Sequence, residues 1–220
     1  VYQLHWPDRR MGNFGADGLG YKHYEAETIP ILETLKVLSD LVKAGKIRYI
    51  GLSNETPWGL SEFIKYSEML DLPRVVSVQN AYNFLNRTYE LGMSEFHHRS
   101  QVGLLAYSPL AQGYLSGKYI DGARPAGART TLFERGDRYE IPEANEAIKS
   151  YVNYARSINM DPSVMANAFV NTRDFVISNI IGATSMDQLK LAIASIDVKL
   201  SEEDLKQIEL IHRSNPNICP

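Results

Sequence analysis

Five short apolar runs, each closing on a polar or small-residue cluster, constrain this chain most. The runs are Val1–Leu4, Ile47–Leu52, Val75–Val78, Val102–Ala106 and Phe175–Ile181, and their ends carry His5, Ser53 and Asn54, Gln79 and Asn80, Tyr107 and Ser108, and Gly182, Ala183 and Thr184. Three runs begin near positions 47, 75 and 103, a spacing that fits one strand, one helix and two short loops. An unbroken apolar run is the mark of a parallel strand with helices over both faces. A (β/α)8 barrel places its active site at the carboxyl ends of such strands. The pattern therefore predicts an α/β fold of the TIM-barrel type with chemistry at its mouth.

A closed barrel of this kind has eight strands, and five runs are visible. The chain is expected to hold roughly the last five βα units plus a carboxyl-terminal helix, as a single barrel domain over residues 1–220. It opens inside a strand and without Met, so about three further units are expected ahead of Val1. The alternative is an open five-stranded sheet, complete as it stands. With 220 residues, 44% hydrophobic, 22% charged and a net charge of −3, nothing points to nucleic acid. No apolar run approaches the ~20 residues of a membrane span. The one cysteine, Cys219, excludes a disulfide framework and a cysteine metal cluster and fits a cytoplasmic setting.

Residues 8–27 lack a period and read as a long loop, a form that is usually functional. Its glycines at 15, 18 and 20 lack the strand and helix start that a nucleotide loop requires. Thr28 is expected to cap a first helix with Leu35, Leu38 and Leu41 inward, and Thr56 with Pro57 to open a second that includes Met69. A third spans residues 88–99 with Leu91, Met93 and Phe96 inward. Segment 109–142 reads as irregular, and its cations Lys118, Arg124, Arg129, Arg135 and Arg138 suit an anion-facing lid or, equally, a solvated basic loop. Helices follow over 143–157, from Asp161 with Pro162, from Ser185, and from Ser201, where Asp204 completes a capping box.

Taken in order, QLHWP, GKIRYIGLSN, VQNAYNFLNR, LLAYSPLAQGYLSGKY, GARTTLF and IIGATSMDQL resemble the aldo-keto reductases. The likeness is to the bacterial branch that contains the Tas-type oxidoreductases and is related to potassium-channel β subunits. Each motif alone is weak; six in register over residues 1–210 are specific.

The resemblance implies roles for particular residues. His5 would donate to the substrate carbonyl oxygen, where alkoxide charge develops; the plainer reading is a satisfied structural histidine. Trp6 would wall the substrate pocket. Ser53, Asn54 and Gln79 would hold the nicotinamide carboxamide, which needs both a donor and an acceptor, although Ser and Asn are also ordinary turn residues. Tyr107 would stack on the nicotinamide ring, or simply cap the core. Ser108, Leu110 and Gln112 would follow the pyrophosphate, with Lys118 and Arg129 closing over it. Gly182, Thr184 and Gln188 would lie at the adenosine 2′-phosphate, beside a helix amino terminus.

Two departures stand out. Gly182 and Gln188 replace the cations common near the 2′-phosphate, and Ala192 replaces an adenine-contacting Asn. The family's catalytic Asp, Tyr and Lys precede the L-H-W-P strand, and nothing in residues 1–220 matches them; Tyr2, Tyr21 and Tyr24 do not. The expected function is reduction of aldehydes or ketones by direct hydride transfer from NADPH, with NAD as the alternative cofactor and no metal. The chain alone would be an incomplete or inactive portion, a possible homo-oligomer or associated with an amino-terminal segment. The rival readings are a non-catalytic nucleotide-binding barrel remnant and a TIM-barrel hydrolase; the second lacks paired carboxylates at strand ends.

Overall fold

Each apolar run becomes a strand, and each periodic stretch between them becomes a helix, in a computed structural model that describes residues 1–10, 27–133 and 137–220. The order is β1 (Tyr2–Leu4), α1 (Ile31–Lys43), β2 (Ile50–Ser53), α2 (Pro57–Met69), β3 (Val75–Ala81), α3 (Met93–Ser100), β4 (Gly103–Tyr107), α4 (Arg129–Phe133), α5 (Pro142–Ser157), α6 (Pro162–Asn171), β5 (Val176–Ile180), α7 (Met186–Ala194) and α8 (Glu202–Ser214). The strands form one parallel sheet in the order β1-β2-β3-β4-β5. This is consistent with part of a (β/α)8 barrel. Register sets up the chemistry: Leu4 lies opposite Leu52, and Ser53 opposite Gln79.

Contacts divide the described chain into two compact units, Val1–Asn80 with Tyr89–Leu105, and Ala81–Thr88 with Ala106–Pro220. The first buries Leu35 and Leu38 of α1, Ile50 and Leu52 of β2, Leu60 and Phe63 of α2, and Val75 and Val78 of β3. The second is built on aromatic packing. Phe84 stacks on Tyr151 at 4.3 Å between ring centres and meets Phe169 at 4.7 Å. Each such ring contributes about 1.5–3 kcal/mol through burial.

Helix starts follow short-range chemistry. Thr56 caps α2 by accepting from Gly59 N–H, Asp161 caps α6 by accepting from Ser163 and Val164, and Ser185 caps α7 by accepting from Gln188. The expected cap at Thr28 does not form: α1 begins at Ile31, and its N-cap is Pro30, which has no side-chain cap. Leu91 is 79% exposed, because residues 88–91 form a separate 3-10 turn ahead of α3, which breaks the periodicity. Met69, in the last turn of α2, is 68% exposed. β3 runs on through Gln79 and Asn80 to Ala81, so these polar residues belong to the strand itself. Segment 109–142 contains α4 and short 3-10 turns at Ala111–Ser116, Ile120–Gly122 and Asp137–Tyr139. Most of loop 8–27, and Arg135, lie outside the described residues.

The capping box at α8 has a pH signature. Ser201 Oγ and Tyr154 Oη both donate to Asp204, at 2.7 Å each, and hold its carboxyl below the ordinary value of 3.8. A carboxylate whose pKa is depressed on folding adds stability above its unfolded pKa and loses it as pH falls through the folded one. Asp204→Ala is therefore expected to cost about 1 kcal/mol at pH 7. That cost should shrink as pH falls below 3.8 and the folded-state carboxylate is protonated. Urea midpoints of both proteins at pH 7 and below pH 3.8 measure this; an equal gap at both would rule out the carboxylate as the source.

Candidate functional site

In the first unit, the carboxyl ends of β1, β2 and β3 are tied together by the residues predicted to hold a carboxamide. Asn54 N–H donates to the Gln79 carbonyl at 2.9 Å, and Ser53 Oγ donates to the same carbonyl at 2.7 Å. Asn54 Nδ2 donates to the His5 carbonyl at 2.9 Å. His5, Ser53, Asn54 and Gln79 are thus gathered in one place. Ser53 and Asn54 are each only 3% exposed, so they anchor the strand ends from within, whereas His5 is exposed. With its only proton given to Gln79, the Ser53 hydroxyl can act toward any further partner as an acceptor. Asn54 holds φ at 55°, in the left-handed region, where a non-glycine residue stores about 1–3 kcal/mol of strain.

Beside this cluster lies a buried ion pair that the sequence reading did not single out. The Glu55 carboxylate pairs with the Arg9 guanidinium, and its Oε1 accepts from Thr56 N–H at 2.7 Å. Arg9 also donates to Thr56 Oγ1 at 2.9 Å and lies 4.8 Å from the centre of the Trp58 ring. Asn80 clamps the Glu55 backbone from both sides, accepting from its N–H at 3.1 Å and donating to its carbonyl at 2.9 Å. The amide at position 80 was legible as a polar strand end; its partner was not, since 25 residues separate them. Trp6, 49% exposed and 5.5 Å from the His5 ring, lines a cleft of about 220 Å³ with Leu4, Ile29, Trp58 and Phe63. Ser53 borders this cleft, but Asn54 and Gln79 do not.

In the second unit, Tyr107 ends β4 half-buried, and its carbonyl accepts from Tyr82 N–H at 3.2 Å. Burial pushes the Tyr107 phenol up, and the charge and hydrogen bond of Arg138 pull it back. The following loop is strained in a run: Ser108, Ala111 and Gln112 hold φ at 57°, 48° and 57°. Asn83, fully buried, holds this loop by donating to the Ser108 carbonyl at 3.0 Å, while its Oδ1 accepts from Leu85 and Asn86. The Leu110 carbonyl accepts from Gly113 and Leu115. Lys118 lies half-buried with its ammonium 5.2 Å from the Tyr119 ring, and Arg129 is exposed at the start of α4. Gly182, Thr184 and Gln188 are all exposed. The Gln188 side chain accepts from Thr184 N–H at 2.9 Å, so one backbone donor of the predicted anion loop is already engaged within the loop. A second cavity of about 300 Å³, lined by Tyr114, Tyr119, Arg124, Tyr139 and Glu140, includes none of the predicted cofactor residues.

Among the described residues no group of His, Cys, Asp and Glu is arranged to hold a metal ion, and no helix is long and apolar enough to cross a membrane.

Comparison with known proteins agrees with this fold. The model of the Aldo/keto reductase family matches residues 1–213. Protein tas of Escherichia coli strain K12 is 47% identical over 214 residues, covering 97% of this chain and 61% of that protein. An aldo-keto reductase of Babesia bovis is 34% identical over 238 aligned residues, covering all of this chain and 83% of that protein. The L-glyceraldehyde 3-phosphate reductase of Escherichia coli strain K12 is 29% identical over 210 residues, covering 91% of this chain and 59% of that protein. The chain thus spans about 61% of the length of the tas proteins it matches. A family match across nearly the whole chain, on a parallel sheet flanked by helices, makes this chain a member of the aldo/keto reductase family.

Proposed function

We propose that the protein is an NADP(H)-dependent oxidoreductase that reduces aldehydes or ketones to alcohols in the cytoplasm. The observation that carries this reading is backbone strain at the positions where the resemblance places the cofactor. Asn54, Ser108 and Gln112 all hold left-handed φ values. Strain of this kind is retained where function requires it and clusters at ligand clamps.

Bound NADPH would supply the hydride. The residues of this chain bind and orient. Ser53 accepts from the carboxamide N–H, and Asn54 and Gln79 complete its recognition with amides. Fixing that group fixes which ring face is offered for transfer. Tyr107 supplies a flat aromatic surface for the ring. The loop from Ser108 through Leu110 serves the pyrophosphate, with Lys118 and Arg129 as its cations. Gly182, Thr184 and Gln188 carry no charge of their own, so discrimination of the 2′-phosphate falls to the basic segment. His5 donates to the carbonyl oxygen of the substrate, and Trp6 forms a wall of its pocket.

The edge strands bear on partners. On β1, Tyr2 is 49% exposed, and Val1 just ahead of it 70%; on β5, Ile177 is 53% exposed; and along α7, Met186 is 65% and Ile193 55% exposed. Such edges invite pairing, and we propose that further barrel polypeptide covers them.

Asn54 gives the test. Asn54→Ala is expected to weaken NADPH binding roughly tenfold, or about 1.4 kcal/mol. Asn54→Gly keeps the left-handed backbone without strain and should weaken it similarly, because the amide is what is lost. Titrating the reduced-cofactor fluorescence of both variants and of the parent checks this, with NADH run alongside. Unchanged NADPH affinity in both variants would reject the site. Equal NADPH and NADH affinities in the parent would reject NADP as the preferred cofactor.

A further inference from the structure

β3 ends on two consecutive amides, Gln79 and Asn80, and the family resemblance gives a role only to the first. Both lie within the strand, so their side chains leave opposite faces of the sheet. Asn80 is half-buried, and both ends of its amide go to the residue that follows Asn54. Its Oδ1 accepts from Glu55 N–H at 3.1 Å, and its Nδ2 donates to the Glu55 carbonyl at 2.9 Å. The Glu55 carboxylate is held elsewhere, by Arg9 and by Thr56 N–H, so Asn80 acts on main chain alone.

These bonds bear on the strained residue beside them. The Asn54 N–H belongs to the peptide plane that precedes the Asn54 Cα, and the Glu55 N–H to the plane that follows it. The first plane is held by the Gln79 carbonyl at 2.9 Å, the second by the Asn80 side chain. The angles φ and ψ are rotations of these two planes about one Cα, so consecutive residues of β3 restrain both. Asn54 holds φ at 55°, where a Cβ crowds the following carbonyl oxygen and an unrestrained residue would leave. The same backbone aims its side chain, whose Nδ2 donates to the His5 carbonyl at 2.9 Å. Release to an ordinary φ would swing the Cα–Cβ bond and carry the amide away from His5.

We propose that Asn80 is a positioning residue: it holds the peptide plane after Asn54, keeps Asn54 left-handed, and so aims the Asn54 amide at the cofactor carboxamide. The proposal rests on the reading of Asn54 as a carboxamide contact. It adds a residue that acts on the cofactor only through Asn54.

The test compares the chain of residues 1–220 with Asn80→Ala, Asn54→Gly and the two combined. NMR reads the backbone, because a positive φ brings a residue's amide and α protons close together and gives a strong cross-peak between them. In the parent, residue 54 should give that cross-peak, and Glu55 N–H should exchange slowly with solvent. In Asn80→Ala the cross-peak should weaken, and Glu55 N–H should exchange roughly tenfold faster or more, as local opening becomes easier. Fluorescence titration gives the NADPH dissociation constant. Asn80→Ala should weaken binding roughly fivefold, the order of one lost hydrogen bond. In the Asn54→Gly background the same substitution should change it by less than about twofold, since the amide is gone and glycine is left-handed without help. A merely structural role would give the same factor in both backgrounds, because independent effects multiply. An undiminished cross-peak in Asn80→Ala, or an equal factor in both backgrounds, would overturn the proposal. Fast exchange of Glu55 N–H in the parent would overturn it without any variant, so the decision does not depend on Asn80→Ala folding. Failure of the parent to bind NADPH would reject the carboxamide reading of Asn54, while the cross-peak would still decide whether Asn80 holds its backbone.

Discussion

Glu55→Ala is expected to destabilise the protein by about 3 kcal/mol, the loss typical of removing one partner from a buried ion pair. The Glu55 side chain is 3% exposed and that of Arg9 20%. Removing the carboxylate leaves the Arg9 guanidinium largely out of water, with the Thr56 hydroxyl and the Trp58 face as its remaining described contacts. It also takes the acceptor from Thr56 N–H at the start of α2. Glu55→Gln keeps a neutral acceptor there and should cost about half as much, since a hydrogen bond to a charged group is worth roughly twice a neutral one. The double variant Arg9→Met, Glu55→Leu should recover most of the loss, because well-packed apolar replacements of buried pairs are often neutral. Urea unfolding of the three proteins closes the comparison. A loss below about 0.5 kcal/mol for Glu55→Ala would place the pair among ordinary surface contacts.

The strands were legible in the sequence because a parallel strand under helices cannot hide its composition. Ile50 and Leu52 are apolar and buried, as that logic demands. The same logic misreads β5, where Ile177 is apolar yet 53% exposed, because a strand at the edge of the sheet lacks a neighbour on one side. Caps at Asp161, Ser185 and Ser201 were legible because capping is a contact across two or three residues. The failures share a cause. Leu91 fits a helical period but belongs to a 3-10 turn, and Thr28 looks like a cap while Pro30, two residues on, takes the N-cap position without a side-chain bond.

Site residues divide along similar lines. Those at strand ends, His5, Ser53, Asn54 and Gln79, could be found because register carries them to the same level. Glu55, Asn80, Asn83 and Arg138 act through partners between 25 and 81 positions away. No local pattern encodes such pairs. The one available signal was residue type: a carboxylate or an amide next to an apolar strand must find a partner if it is buried.

A polypeptide consisting of residues 1–220 alone is expected to bind NADPH but to oxidise it with aldehydes at a rate lower by roughly 10²–10⁴ than a polypeptide that also carries the Tyr–Lys pair of the family pattern. Hydride delivered to a carbonyl carbon leaves alkoxide charge on oxygen, and a positioned acid must neutralise it as it forms. The residue proposed for that contact in this chain is His5, and it is exposed at the end of β1. An exposed imidazole stabilises developing charge less well than a donor preorganised away from water. The Ser53 hydroxyl does not substitute, since its proton is committed to the Gln79 carbonyl. Tyr107 does not substitute either, since burial pushes its phenol up and Arg138 engages it. The exposed apolar side chains of β1 and β5 add a second expectation: the same material should self-associate through these edges. Stopped-flow and steady-state NADPH oxidation, run on material of verified mass with sedimentation alongside, tests both. Turnover at the rate of the longer polypeptide from a 24.8 kDa monomer would show that residues 1–220 contain a complete proton donor and would require reassigning His5 or Tyr107.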